Sequence, residues 1–172
     1  SDRDWSSDVC SSDLVNNAGV LDDNLLGMIS DDTIHKIFKV NTFAVISFMQ
    51  FVARAMFKNG GSIINISSII ASTGFNGLSV YAASKAGLEG FMRSLSRELG
   101  RSKITVNCIA PGYMETDMTA GIKGDKIDLI RRRSPLGLAH VEDVAGAVSY
   151  LLSKDAERIT GTVITVDGGS TA

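Results

Sequence analysis

The chain has 172 residues, about one domain by length, with 44% hydrophobic and 21% charged residues, 17 Gly and 2 Pro. That mixture excludes a disordered chain, a collagen-like repeat and a small disulfide scaffold. A net charge of -2 leaves no basic footprint for nucleic acid. Cys10 and Cys108 form neither a C-x-x-C pair nor a Cys/His cluster, which argues against a metal site and for a reducing cytoplasm.

No stretch reads as a membrane span. The uncharged stretch 59–84 is full of Ser, Gly and Asn, and the apolar run 43–57 is broken by Gln50 and Arg54. The start carries no charged-then-apolar leader pattern.

Residues 1–14 differ from all that follows. Nine of these 14 residues are Ser or Asp, and the segment has neither helical nor strand periodicity. It reads as a non-native or disordered segment, a cloning remnant or else a natural polar tail, with residues 15–172 forming the folded domain.

From Leu14 the elements follow in order. Residues 14–16 look like the end of a buried strand, with a turn at 17–19. Ser30 is a helix N-cap, with Asp31 and Asp32 in the first turn. Residues 33–40 and 42–58 carry helical apolar spacing, and Asn59-Gly60-Gly61 ends that run. The β-branched run 62–66 predicts a buried strand, 67–78 a loop, and 79–100 a long helix with Leu88, Phe91, Met92, Leu95 and Leu99 on one side. Residues 103–109 predict a strand broken by Ala110-Pro111-Gly112. Helices at 126–133 and 141–153, a strand at 162–166 and a turn at 167–169 complete the chain.

Strands alternating with helices mean βαβ units and a parallel sheet. Right-handed crossovers follow from strand twist. Ligands then bind beyond the carboxyl ends of the strands, at residues 16–19, 67–78, 110–119 and 167–169.

Tyr81 and Lys85 lie four apart on a predicted helix and so share a face. A phenol titrates near ~10; a nearby ammonium lowers that value and suits Tyr81 to exchange a proton with an alcohol or carbonyl oxygen. The spacing alone also fits a half-buried Tyr beside a surface Lys. Ser68 follows a strand 13 residues before Tyr81 and offers a hydroxyl to the same oxygen. Asn41 interrupts an apolar helical run, as a group needing a partner or as a kink or cap. Asn16-Asn17-Ala18-Gly19 lets a ligand approach the backbone closely.

In order and spacing, NNAG at 16–19, Asn41, ISS at 66–68, YAASK at 81–85, PG at 111–112, ETDMT at 115–119 and ITVDGG at 164–169 resemble the short-chain dehydrogenase/reductase family. Within it, the likeness is to the 3-oxoacyl-acyl-carrier-protein reductases, over residues 14–170. The resemblance implies an α/β, Rossmann-like doubly wound parallel sheet, here its C-terminal two-thirds. It implies hydride transfer between NAD(P)(H) and a ketone of 3-oxoacyl thioester type, with NADP(H) preferred over NAD(H). The roles implied are Tyr81 as acid/base, Lys85 as holder of the nicotinamide ribose, Ser68 as orienter of the carbonyl and Asn41 as anchor of a water-linked relay to Lys85. Asn17, Ala18, Gly19, Pro111, Gly112, Met114 and Thr116 would line the cofactor with Tyr81 and Lys85. The substrate is expected to be a small or carrier-bound ketone. The resemblance also implies a homotetramer or homodimer, a cytoplasmic location, and neither nucleic acid nor membrane as partner. Alternatives are a dehydrogenase of another small alcohol or sugar, and a non-catalytic relative acting through subunit contacts.

The chain departs from the family pattern at its start. The glycine-rich T-G-x-x-x-G-I-G turn, which places N–H groups on a pyrophosphate, is absent from the sequence. The first strand is therefore expected to be a bare apolar edge, and the chain by itself marginal and weak in cofactor binding. Arg131, Arg132 and Arg133 read as a solvated helix face or a docking site for an acidic carrier. Met114 and Met118 read as acyl-pocket or packing residues, and His35 and His140 as structural. The apolar stripes of 42–58 and 79–100 fit subunit pairing or packing on the sheet.

Overall fold

The computed structural model describes residues 12–116, 119 and 125–172. Four parallel strands, β1 (Ser12–Asn16), β2 (Gly61–Ile66), β3 (Ile104–Pro111) and β4 (Val163–Val166), pair in the order β1-β2-β3-β4. Each strand returns to the next through helices, which is the alternation the sequence predicts. The connections carry α1 (Asp31–Phe38) and α2 (Ala44–Met56), then α3 (Ile70–Thr73) and α4 (Ser79–Leu99), then α5 (Asp125–Arg133) and α6 (Val141–Leu151).

Strand side chains alternate between two apolar layers. Ile63, Val106 and Cys108 face α2 and α4, meeting Met49, Met56, Leu88 and Met92. Ile64 and Ile109 face the other way, toward Leu151, Val144 and Val148 of α6. Helices thus cover both faces of the sheet. β2 and β3 are buried almost throughout. Among the described residues β1 lies at one edge of the sheet, and its Val15 is 38% exposed.

Gly60 closes the helix before β2 at a φ of 75°, and a Cβ there would stand 2.7 Å from the Lys103 carbonyl oxygen, so only glycine fits this turn.

Three local expectations change. The strand begins at Ser12, so residues 12–14 of the Ser/Asp-rich segment belong to β1, where the Asp13 carboxylate accepts from the Ser62 N–H at 3.1 Å. Residues 1–11 of that segment lie outside the described residues. Pro111 does not break β3 but ends it, paired with Val166. At a strand's last residue its missing N–H costs little, and its carbonyl still accepts from Ile69 at 3.1 Å.

The third change concerns Asn41. The two helices expected around it are one unbroken run, joined by a π-helical turn at Lys39–Phe43. A π turn adds one residue to the turn, and such turns often mark functional sites. The joined run Asp31–Met56 is 26 residues long and by length and composition apolar enough to cross a membrane, which neither shorter segment is. Its stripe Ile37, Val45, Met49, Ala53 and Met56 is buried within this fold, with four of the five in the core shared with α4 and the sheet. Other positions of the run are open, with Phe43, Phe48 and Phe51 exposed.

Candidate active site

α4 carries the centre of the site. At 3.6 residues per turn its buried stripe runs through Tyr81, Ser84, Lys85, Leu88, Glu89 and Met92. The first two turns hold Tyr81 and Lys85 against the carboxyl end of β2, where Ser67 and Ser68 leave the sheet. Ser68 accepts the Ile70 N–H at 3.3 Å, which fixes its hydroxyl at the start of α3, on the side of the Tyr81 phenol.

The Tyr81 ring lies 5.9 Å from the Lys85 ammonium. Burial pushes the phenol above its ordinary value, and the Ser68 side chain offsets only part of that rise. The direction is the reverse of the expected lowering: burial of the phenol sets it, and Ser68 is the group that opposes burial. Lys85 is itself only 4% exposed, and burial pulls it down from 10.5 to about 8. The neighbouring Cys108 would raise it only as a thiolate; burial pushes that thiol up to about 12, so it is neutral where Lys85 titrates. At neutral pH Lys85 remains a cation, and it donates to the Ile66 carbonyl at 2.7 Å.

Asn41 is fully buried, and its amide is held from three sides. Oδ1 accepts from the Val20 N–H at 2.8 Å, while Nδ2 donates to the Val20 carbonyl at 2.9 Å and to Ser84 Oγ at 3.1 Å. Ser84 Oγ donates in turn to the Tyr81 carbonyl at 2.7 Å. The loop after β1 is thus locked to α4. A Cβ on Gly19 would lie 3.4 Å from both Asn41 Oδ1 and Lys85 Nζ, so the first strand, the π turn and α4 converge there. Asn17 and Ala18 beside it are exposed. Ser84 escaped the sequence reading; its signal was a polar residue on the inner stripe, three positions after Tyr81.

The loop after β3 is placed beside this centre less directly. Gly112 is required by close packing, since a Cβ there would come 2.7 Å from Asp167 Cβ, and its N–H donates to Val166 at 2.8 Å. The Thr116 N–H donates to Thr119 Oγ1 at 3.0 Å. Met114 borders a cavity of about 500 Å³ lined also by Glu115, Arg131, Leu138 and His140; Tyr81 and Lys85 are not among its lining residues. Arg131 pairs with Glu115 at 2.9 Å, with both side chains exposed, while Arg132 and Arg133 are exposed. Met118 lies outside the described residues. His35 Nδ1 meets the Asp31 carbonyl oxygen at 2.7 Å, and the His140 N–H is capped by Asp143 at 2.8 Å, both structural contacts.

Residues 11–171 match the family model described as enoyl-(acyl carrier protein) reductase. The chain belongs to the short-chain dehydrogenase/reductase family. It is 44% identical over 158 residues to the 3-oxoacyl-acyl-carrier-protein reductase of Salmonella typhimurium, covering 91% of this chain and 65% of that protein. Against its Escherichia coli counterpart the identity is 43% with the same coverage. A solved 4-hydroxyisoleucine dehydrogenase mutant, complexed with NADH and succinate, superposes with a TM-score of 0.87 at 30% identity, over 92% of this chain and 68% of that one. The chain thus spans 65% of the length of the curated relatives it matches. In this family member the four residues Asn41, Ser68, Tyr81 and Lys85 surround the carboxyl ends of β1 and β2.

Proposed function

We propose that the chain is the catalytic portion of a nicotinamide-dependent oxidoreductase that reduces a ketone, of 3-oxoacyl thioester type, to a secondary alcohol. The observation that carries this reading is the buried Tyr81–Lys85 pair on α4, its ring 5.9 Å from the ammonium, with Ser68 at the adjoining exit of β2. Two hydroxyl donors beside a cation suit a carbonyl oxygen that gains negative charge during reduction. A reduced nicotinamide, when bound, supplies the hydride. Ser68 donates a hydrogen bond to the substrate oxygen and orients it. Tyr81, which burial keeps protonated, gives that oxygen its proton. Lys85, still cationic below about 8, stabilises the phenolate left behind.

The residues present suit the nicotinamide and ribose end of such a cofactor. Glycine at position 19 leaves open the space where a Cβ would stand 3.4 Å from Lys85 Nζ. An ammonium has three donors, and Lys85 uses one on Ile66, which leaves others for ribose hydroxyls. Asn17, Ala18, Gly19, Pro111, Gly112, Met114 and Thr116 would line the same ligand. The preference for NADP(H) over NAD(H), a carrier-bound substrate and a cytoplasmic location rest on the likeness to the carrier-protein reductases. The exposed Phe48 and Phe51 of α2 support pairing of subunits into a dimer or tetramer.

Turnover of an acetoacetyl thioester with NADPH or NADH tests the reading. Tyr81→Phe is expected to cost at least about a hundredfold in rate with the fold intact. Unchanged turnover would overturn it. The likeness to a 4-hydroxyisoleucine dehydrogenase favours a second reading, oxidation of a small hydroxylated acid, tested by the reverse assay.

A further inference from the structure

α4 and the exit of β2 are fastened at a second point, one helical turn beyond Lys85. Lys85 Nζ donates to the Ile66 carbonyl at 2.7 Å, and Ser67 Oγ donates to Glu89 Oε1, also at 2.7 Å. Ser67 is 3% exposed and Glu89 7%. The Ser67 N–H donates to the Ile109 carbonyl at 2.7 Å, so its backbone belongs to the sheet while its side chain is tied to the helix. The other Glu89 oxygen, Oε2, meets Arg93 at 3.3 Å.

A buried carboxylate is costly even when paired, and an apolar residue of similar size is often as stable or more so. Glu89 lies on the buried stripe of α4 with the core residues Leu88 and Met92. Packing therefore does not account for the carboxylate. What it does is hold the residue immediately before Ser68.

We propose that Glu89 is a positioning residue: by binding Ser67 it fixes the backbone from which Ser68 projects, and so where the Ser68 hydroxyl stands relative to Tyr81. In its kinetic consequence this inference rests on the ketone-reduction reading. In its geometric consequence it does not.

Ser67→Ala tests it without changing charge; Lys85, Cys108, Glu89 and Arg93 around the site stay as they are. The Tyr81 phenol is followed by ultraviolet titration, with the Tyr81→Phe variant subtracted to remove Tyr113 and Tyr150. Ser67→Ala is expected to raise the Tyr81 midpoint, because Ser68 is no longer held in place relative to it, and to do nothing further in a Ser68→Ala background. Ser67→Thr, which keeps the hydroxyl, should behave as the parent. With an acetoacetyl thioester, Ser67→Ala and Glu89→Leu should each lower kcat about tenfold at unchanged cofactor KM, the double variant no more than either, and Glu89→Gln should retain most of the rate. If Ser67→Ala does not fold, Ser67→Cys, a weaker donor of nearly the same shape, takes its place. A lower melting temperature with an unmoved Tyr81 titration and kcat would overturn the proposal, as would additive losses in the double variant. A parent chain that reduces no ketone would overturn the activity reading, and the titration would still decide the positioning role.

Discussion

Lys85→Met separates what this lysine does for catalysis from what it does to the fold. Burial lowers Lys85 from 10.5 to about 8, which makes its charged form roughly 3 kcal/mol less favourable in the folded protein than in the unfolded chain. Below about 8 both states hold the proton, and the whole penalty stands. Between about 8 and 10.5 the folded state sheds the proton while the unfolded state keeps it, so stability rises with pH; above that range the penalty is gone. Methionine removes the charge but strips the Ile66 carbonyl of its 2.7 Å donor, which costs about 1–3 kcal/mol. At neutral pH the variant should therefore be as stable as the parent, or more stable by up to about 2 kcal/mol, while losing turnover. Urea unfolding of both proteins by circular dichroism checks this. From about pH 7 to about pH 9 the difference between them should move by about 1.3 kcal/mol in the parent's favour. The neighbouring thiol complicates only higher pH, since Cys108 would ionise near 9 when unfolded and burial holds it to about 12 when folded. A difference that does not change with pH would refute the idea that burial depresses Lys85.

Three further variants, at two residues, probe the supports of the site. Asn41→Ala leaves the Val20 N–H and carbonyl and Ser84 Oγ without their side-chain partner, and it should cost about 2–4 kcal/mol in chemical unfolding. Asn41→Asp should also destabilise, because an ionised carboxylate cannot donate to Val20 or Ser84. Asp167 accepts from the Gly169 and Thr171 N–H groups and from the Ser170 and Thr171 hydroxyls. Burial alone would raise it, but these hydrogen bonds outweigh burial and hold the carboxyl below 3.8. A depressed carboxyl stabilises the fold above its unfolded value and loses that contribution as pH falls through the folded one. Acid titration should therefore show Asp167→Asn less stable than the parent at neutral pH, with the gap closing below about pH 4; a constant gap would contradict the assignment.

The residues that lie close in sequence were legible because local geometry alone decides them. Helical periodicity puts Tyr81 and Lys85 on one face, and β-branched runs bounded by glycine mark β2. Alternation of the two kinds of element implies the parallel sheet. Ser68 and the 16–19 turn were found because parallel strands must all release their carboxyl ends on the same side. The NNAG, YAASK and VDGG motifs added the family, which residue types and spacing by themselves could not supply.

What pairs across the fold was not legible, because it depends on where burial falls. A serine at 84 or 67 and a glutamate at 89 look ordinary in a helix or loop until the sheet and π turn close over them. Their distances to Asn41, Tyr81 and each other then become hydrogen bonds in a place without water. The direction of the Tyr81 shift was decided in the same way. In sequence a lysine four residues away argues for a lower value, whereas in the folded chain the loss of water around the phenol raises it. Sequence determined which groups are available and which share a helix face; the tertiary structure determined how dry each one is. In a buried site it is desolvation, set by neighbours distant in sequence, that decides which charges and hydrogen bonds count.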